Sequence, residues 1–220
     1  MALFEVQGLT KTFGGLMANR DVNMHVEEGE ILGLIGPNGA GKTTFFNCVT
    51  GFYPPTSGQV RFQNQDITGW SPERVCQMGI ARTFQIVRVL RDLTVLENVM
   101  IGAFLRHPRT ADARRKALQI LEMTDLIDRK DQIARNLTIA GKKRLELARA
   151  LATEPTLLFL DEAMAGLNPS EIHAAVSIVR QLREQGITIV MVEHVMKVVM
   201  PLTDRIVVLD SGMVIADDIP

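Results

Sequence analysis

No stretch of about 18 uncharged apolar residues occurs in this 220-residue chain, so no part of it is expected to cross a membrane as a helix. The N-terminus, MALFEVQGLTKTFGG, lacks a basic region followed by an apolar core, and no secretory leader is expected there. Cysteine is scarce. Cys48 and Cys76 lack metal-ligand spacing and read as free thiols in a reducing compartment. Net charge is also nearly absent, at −1, so no molecule-wide field announces a nucleic-acid partner. Internal repeats and low-complexity tracts are missing as well.

What is present is an ordinary globular balance, 46% hydrophobic and 22% charged, in a length that suits one large domain or a core with a small subdomain. The charge is uneven. Residues Arg106 to Arg149 hold 12 Lys/Arg against 6 Asp/Glu, a local +6 that leaves −7 elsewhere. A solvated helical face accounts for this, with a docking surface as the alternative. Strand-like runs appear at 3–9, at 22–26 with alternating Val22, Met24 and Val26, and at 31–35 as a continuous apolar run suited to a strand buried on both faces. Helix is expected from Lys42 to about Thr50, strand at GQVRF, and a helix at SPERV with Ser71 as cap and Pro72 in its first turn. The middle is helical. Thr94 and Glu97 form a capping box, TADARRKALQILEM carries the next helix, and Thr138 caps a third whose apolar stripe is Leu145, Leu147, Ala148 and Leu151. A strand at 156–160, a helix from Pro169 to about Gln185, a strand at 187–192 and a hairpin turning at Asp210–Gly212 complete the chain. Strands alternating with helices at both ends imply an α/β sheet, with the helical stretch 86–153 inserted.

The segment GPNGAGKTT, Gly36 to Thr44, matches G-x-x-x-x-G-K-[ST] between a buried strand and a helix, which is the context this motif needs. Gly36, Gly39 and Gly41 let the backbone turn its N–H groups toward phosphate oxygens, and the helix N-terminus adds partial positive charge. Lys42 supplies a mobile cation for the β- and γ-phosphates, and the Thr43 hydroxyl a ligand for Mg²⁺. The second half of such a site is a carboxylate at a strand end. TLLFLDE offers Asp161 for Mg²⁺ and Glu162 as base for an attacking water. Adjacent carboxylates after so apolar an approach are costly without a cation nearby. VMVEHVM repeats the pattern with His194, although a lone histidine is more often structural, and RTFQ ends a short strand with Gln85.

In this order the pieces resemble the ATP-binding subunit of ABC transporters, over essentially the whole chain. The resemblance implies an α/β, P-loop NTPase (ABC ATPase) core with a mixed sheet, an antiparallel β subdomain and an inserted α-helical subdomain. It makes 1–220 a single domain, with 1–85 and 154–220 as nucleotide-binding core plus β subdomain and 86–153 as the helical signature subdomain. ATP and Mg²⁺ are the implied cofactors. Gly36, Pro37, Asn38, Gly39, Ala40, Gly41, Lys42, Thr43 and Thr44 would hold the nucleotide, with Phe13 stacked on adenine. Thr43, Gln85 and Asp161 would hold the metal. Glu162 matches the catalytic carboxylate, His194 the switch histidine and Gln85 the link to the helical subdomain; with Lys42 they form the catalytic set. LTIAG falls where the family carries L-S-G-G-Q, so Thr138, Ala140 and Gly141 would close over ATP bound to the opposite subunit. Ile139 and Ala140 replace both glycines and Gly141 the glutamine. Ala140 still offers its N–H if its backbone needs no positive φ. Asn168 replaces the usual aspartate of the D-loop AGLNP, and Ala163 the proline that commonly follows the two carboxylates.

FGGLMANRDV, FNCVTGFYPPTSG, GIARTFQ and DEAMAGLNP look most like importers of branched-chain amino acids, with urea and other amide importers as the alternative. The implied partners are a second ABC ATPase subunit, alike or different, integral membrane permease subunits, and indirectly a periplasmic or extracellular solute-binding protein; no nucleic acid is expected. The implied location is peripheral, on the cytoplasmic side of the cell membrane. Relatives usually continue through further helices, so an end at ADDIP is expected to be short or truncated. Rival readings fare less well. No N-K-x-D tetrad supports a GTPase, a P-loop kinase would need a substrate lid, and the long inserts or paired cassettes of ABC ATPases in DNA repair or translation are missing. A degenerate module that binds nucleotide without turnover rests only on Ile139 and Ala140.

Overall fold

The computed structural model describes residues 2–220. Two sheets and a set of helices enclose two apolar clusters. The smaller sheet is antiparallel, in the order β2 (Leu16–Val26), β1 (Phe4–Phe13), β4 (Ser57–Phe62), β5 (Gln65–Asp66). The larger has six strands, in the order β10 (Met213–Asp218), β9 (Arg205–Asp210), β3 (Ile31–Ile35), β8 (Thr188–Val192), β7 (Leu157–Asp161), β6 (Ile80–Arg82). All its neighbours pair in parallel except β10, which returns along β9 as a hairpin. Strands β7 and β8 are buried at every position, which is why they read in sequence as unbroken apolar runs.

Helix α1 (Lys42–Val49) lies between the sheets. Its adjacent Phe45 and Phe46 are both fully buried, and Phe46 meets Phe159 of β7 edge-on at 4.9 Å between ring centroids. Phe4 of β1 closes on the other side of Phe159 at 5.6 Å. These contacts lock the small sheet, α1 and the large sheet together, each buried aromatic contributing about 1.5–3 kcal/mol. The second cluster joins the opposite face of the large sheet to α3 (Val95–Ala103), α4 (Thr110–Met123), α5 (Ile139–Leu151) and α6 (Pro169–Glu184). Short helices α2 (Pro72–Met78) and α7 (Met196–Val199) fill connections. Among the described residues no helix is long and apolar enough to cross a membrane.

Helix starts follow the local chemistry. Thr94 and Glu97 satisfy each other's backbone N–H in a complete capping box. Ser71 precedes Pro72 at the start of α2, though its side chain makes no cap bond. Three differences from the sequence reading stand out. The first hairpin runs on to Phe13 and back from Leu16, beyond the expected ends at Leu9 and Val22. Its outer part is solvent-exposed and interrupted by register shifts, so no apolar alternation marks it. Strand β6 ends at Arg82, so Gln85 sits in the loop beyond it and not at the strand end. The short β5 and α7 have too few residues to carry a periodic signal. Several basic residues of the helical stretch pair locally at the surface, as in Arg144–Asp125 and Arg115–Asp112, both at 2.7 Å.

Strands β3, β6, β7 and β8 all run the same way, so the loops leaving their C-terminal ends meet along one edge. That edge is where open α/β sheets bind ligands.

Candidate functional site

The loop leaving β3 turns into α1 through Gly36–Gly41. Two of its glycines are dictated by close approach. A Cβ on Gly36 would lie 2.0 Å from the Leu209 carbonyl oxygen, and one on Gly41 would lie 2.3 Å from that of Ala18. Their φ values, +150° and +99°, are also unfavourable for any other residue. The loop is clamped from both sides: Gly212 N–H donates to the Ala40 carbonyl (3.0 Å) and the Asn19 amide to that of Gly41 (3.3 Å). Thus β2 and the β9–β10 turn build the cradle, though neither belongs to the sequence motif. Lys42 folds its Nζ across the mouth, donating to the carbonyls of Gly36 (2.8 Å) and Pro37 (2.9 Å). Burial pulls its pKa down, against the opposing pull of Glu162 and then Asp161. A cavity of about 610 Å³ opens here, lined by Asn38 to Thr44, Gln85, Glu162, the hairpin residues Leu16 and Met17, and the Ser211–Gly212 turn.

Asp161 ends β7 and is only 1% exposed. Its Oδ2 pairs with Arg82 Nη2 at 3.0 Å, while Oδ1 is buried without a partner among the described residues. Burial raises its pKa, and Arg82 opposes that rise most strongly. An ionised oxygen left unpaired in such a place is expensive unless a cation or its water reaches it. Thr43, Gln85 and Asp161 line one cavity of about 210 Å³, so the three oxygen-bearing side chains expected to hold a metal lie around one space. Their chemistry, a carboxylate, a hydroxyl and an amide, fits a hard cation. Among the described residues no cluster of three His, Cys, Asp or Glu offers a different metal centre.

Glu162 is the hub. Its φ of +50° is a left-handed conformation for a non-glycine residue, which costs about 1–3 kcal/mol and persists only where the surroundings hold it. The Glu162 N–H donates to the Val192 carbonyl at 2.9 Å, fixing it beside the end of β8. One carboxylate oxygen meets His194 Nε2 at 2.9 Å and the other accepts from Gln85 Nε2 at 3.0 Å. The contact fits the His194 tautomer that carries its proton on Nε2, because a carboxylate oxygen accepts. Three residues distant in sequence therefore converge on one point facing the cradle.

Phe13 is placed differently from the cradle residues. Its ring packs edge-on against Tyr53 at 5.3 Å, under Lys11 Nζ at 4.9 Å, and its strand partner across the hairpin is Leu16, which lines the large cavity. Thr138, Ala140 and Gly141 stand away from this cavity, lining another of about 220 Å³ at the start of α5. Thr138 is the N-cap, accepting from Gly141 N–H at 3.1 Å. Ile139 and Ala140 lie within α5 and neither has positive φ, so replacing glycine there carries no backbone strain and the Ala140 N–H keeps its helical direction. Ile139 is 68% exposed. Asn168 is the N-cap of α6, in a capping box with Glu171.

Three residues the sequence reading passed over belong to the site. Arg82 stands in the same RTFQ segment as Gln85, and besides Asp161 it holds Asn47 Oδ1 at 2.7 Å and Thr50 Oγ1 at 3.1 Å. Glu193, next to His194, is almost fully buried and accepts the Met164 N–H at 2.7 Å. A carboxylate directly after the apolar β8 is the same signal that singled out Asp161. Lys143 on α5 donates to the Glu162 carbonyl at 2.8 Å, and nothing in sequence marks that contact. A cleft of about 340 Å³ lies beside this edge, lined by Phe52, Phe84, Arg88, Ile101, Glu146 and Arg149 among others, with Ile86 standing 77% exposed nearby.

Residues 19–165 match the model of the ABC transporter family. The chain is 41% identical to the high-affinity branched-chain amino acid transport ATP-binding protein LivG of Escherichia coli, over 99% of this chain and 92% of that protein. It is 39% identical to BraF of Pseudomonas aeruginosa, of the same description, with the same coverage. Among solved structures, a nucleotide-free ATP-binding cassette from an ABC transporter superposes with a TM-score of 0.90 at 33% identity, covering 99% of this chain and 91% of that one. A dimeric cassette in a post-hydrolysis state bound to ADP and Pi gives 0.89 at 26% identity, covering 98% and 97%.

Proposed function

Because this chain belongs to the ABC transporter family, whose cassettes bind and hydrolyse ATP, we propose that it is the ATPase subunit of an importer for branched-chain or related amino acids. The observation that carries this reading is the convergence of Gln85 and His194 on the Glu162 carboxylate at the rim of the phosphate cradle. The names of the relatives in Escherichia coli and Pseudomonas aeruginosa support the solute class. In this reading the backbone N–H groups of Gly39 to Thr44 and the N-terminus of α1 take the β- and γ-phosphates. Lys42 leaves the carbonyls of Gly36 and Pro37 for phosphate oxygens. Thr43, Asp161 and Gln85 hold Mg²⁺, which supplies charge neutralisation on the β- and γ-phosphates. Glu162 orients and deprotonates the attacking water, and His194 holds its carboxylate in place. Adenine lies along the tip of the first hairpin, by Phe13 and Leu16.

A second ATPase subunit completes each site through the Thr138–Gly141 turn, whose hydroxyl and N–H groups suit a γ-phosphate presented across an interface. Residues 86–153 act as the moving helical unit on the core formed by 1–85 and 154–220. Permease subunits dock at the cleft between Phe52, Phe84 and Ile101, next to the Gln85 loop, and hold the chain peripherally at the cytoplasmic face of the membrane. The solute-binding protein is reached only through them.

Coupling is expected to run through Gln85. In the assembled transporter, Gln85→Ala should lower solute uptake more than ATP hydrolysis, because it cuts the link between Glu162 and the loop at the docking cleft. Uptake and hydrolysis falling in equal proportion would make its role purely catalytic.

The shared site is tested by mixing two damaged chains, Lys42→Ala and Thr138→Arg. In a self-pairing dimer one composite site then loses both elements and the other stays whole, so mixing should restore part of the activity that each mutant lacks alone. If the cassette pairs with a different one, one mutation goes into each partner. Single-site nucleotide trapping in a verified mixed dimer removes the complication of sites that must fire together. No trapping there sinks the arrangement in trans. Thr138→Ala should instead cost about 0.5–2 kcal/mol of stability, as loss of an N-cap does.

A further inference from the structure

Helix α5 carries three charged residues at three-residue spacing, Lys143, Glu146 and Arg149, which share one face. Each grips a loop at the C-terminal edge of the large sheet. Lys143 Nζ donates to the Glu162 carbonyl at 2.8 Å. Glu146 Oε1 accepts the Arg88 N–H at 3.3 Å, and Arg149 donates to the Arg88 carbonyl. Two residues beyond Glu162, the buried Glu193 takes the Met164 N–H at 2.7 Å. The turn that follows Asp161 is thus held at both peptide ends, one of them by α5. The carboxylates around the Lys143 ammonium are Glu193, Glu162 and Glu146; they favour its charge against partial burial.

We infer that Lys143 is a positioning residue for Glu162: it anchors the backbone of that residue in its left-handed conformation and so aims the carboxylate between Gln85 and His194. The inference rests on the proposed function for the role of Glu162. It also gives α5 two duties. Its first turn, at Thr138, faces the nucleotide of the opposing subunit, while its inner face sets the base of its own site. Tilting of α5 would then move the Glu162 carbonyl directly, joining the two sites of a dimer through one rigid element.

Lys143→Met keeps most of the length and packing but removes the donor; Lys143→Arg keeps a donor. In the assembled transporter, Lys143→Met should lower kcat about 10–100-fold with KM within about twofold, the pattern of a displaced catalytic group. Lys143→Arg should recover most of that loss. In a Glu162→Gln background Lys143→Met should add little, because both changes act through one carboxylate. Hydrogen exchange on the full chain, with no nucleotide present, should show faster exchange of the backbone amides at 162–165 in Lys143→Met and near-normal exchange in Lys143→Arg. Unchanged exchange there, additive losses with Glu162→Gln, or equal loss in both Lys143 variants would each overturn the inference. A wild-type transporter that binds ATP without hydrolysing it would instead overturn the proposed function, and the exchange measurement would still decide the role of Lys143.

Discussion

Glu162→Gln is expected to lower ATP turnover by about 10²–10⁴, the range for loss of a general base, while ATP binding persists. The structure makes this a clean substitution. Glutamine has the same shape, and its amide oxygen can still accept from His194 Nε2, now 2.9 Å from the carboxylate. The contact to Gln85 at 3.0 Å survives if the Gln85 amide turns its oxygen toward the new NH₂ group. The left-handed backbone at position 162 is as costly for glutamine as for glutamate, so fold stability should change little. With ATP held and not consumed, the variant should accumulate as an ATP-bound dimer. Single-turnover hydrolysis together with size-exclusion chromatography in ATP would measure both effects. Hydrolysis near wild type would move the role elsewhere, first to His194.

Lys42→Ala should fail earlier, at binding. In the proposed function the ammonium is the mobile cation of the cradle, and in the structure it is also a staple, since Nζ spans the carbonyls of Gly36 and Pro37. Alanine removes the charge facing the β- and γ-phosphates and frees the loop to relax. Loss of one preorganised donor typically costs about 10²–10³ in rate, and here equilibrium affinity for ATP should drop as well. Titration with a fluorescent ATP analogue separates the two losses. Unchanged affinity would contradict the phosphate-cradle assignment. Lys42 and Glu162 thus differ in kind: one variant should bind without turning over, the other should scarcely bind.

The parts of this site legible in sequence are those built from neighbours in the chain. The cradle is a run of consecutive residues whose glycines answer local backbone demands, and its flanking strand and helix announce themselves by an apolar run and by helical continuation. Asp161, Glu162 and His194 were visible because they stand at or just past the end of a strand buried on both faces, where a polar side chain has to have a reason. Helix caps at Thr94 and Thr138 depend on hydrogen bonds spanning three residues, so their geometry was implicit in the residue order; the Asn168 cap depends on the same local geometry but was read only from the structure. Family resemblance added the roles proposed for Gln85 and the signature turn, which spacing alone does not assign.

The rest depended on contacts between distant segments. Arg82 became part of the site only when parallel pairing of β6 with β7 brought its guanidinium to Asp161. The fit of the P-loop is completed by Ala18 and Leu209, residues that precede and follow it at long range and leave no room for a Cβ on Gly41 or Gly36. Lys143 looks in sequence like one more exposed cation of a basic helix; docking of α5 on the sheet edge turned its ammonium inward to the Glu162 carbonyl. The exposed end of the first hairpin, with Phe13 against Tyr53, likewise follows from cross-strand pairing without any apolar period to announce it. The sequence by itself determined the cradle, the two carboxylates, the helix starts and the α/β class, because backbone sterics, capping and burial periodicity act over a few residues. Only the tertiary structure decided which side chains meet Glu162 and what holds it in a strained conformation, because those contacts bridge up to 77 residues of chain and exist only once the sheet order is set.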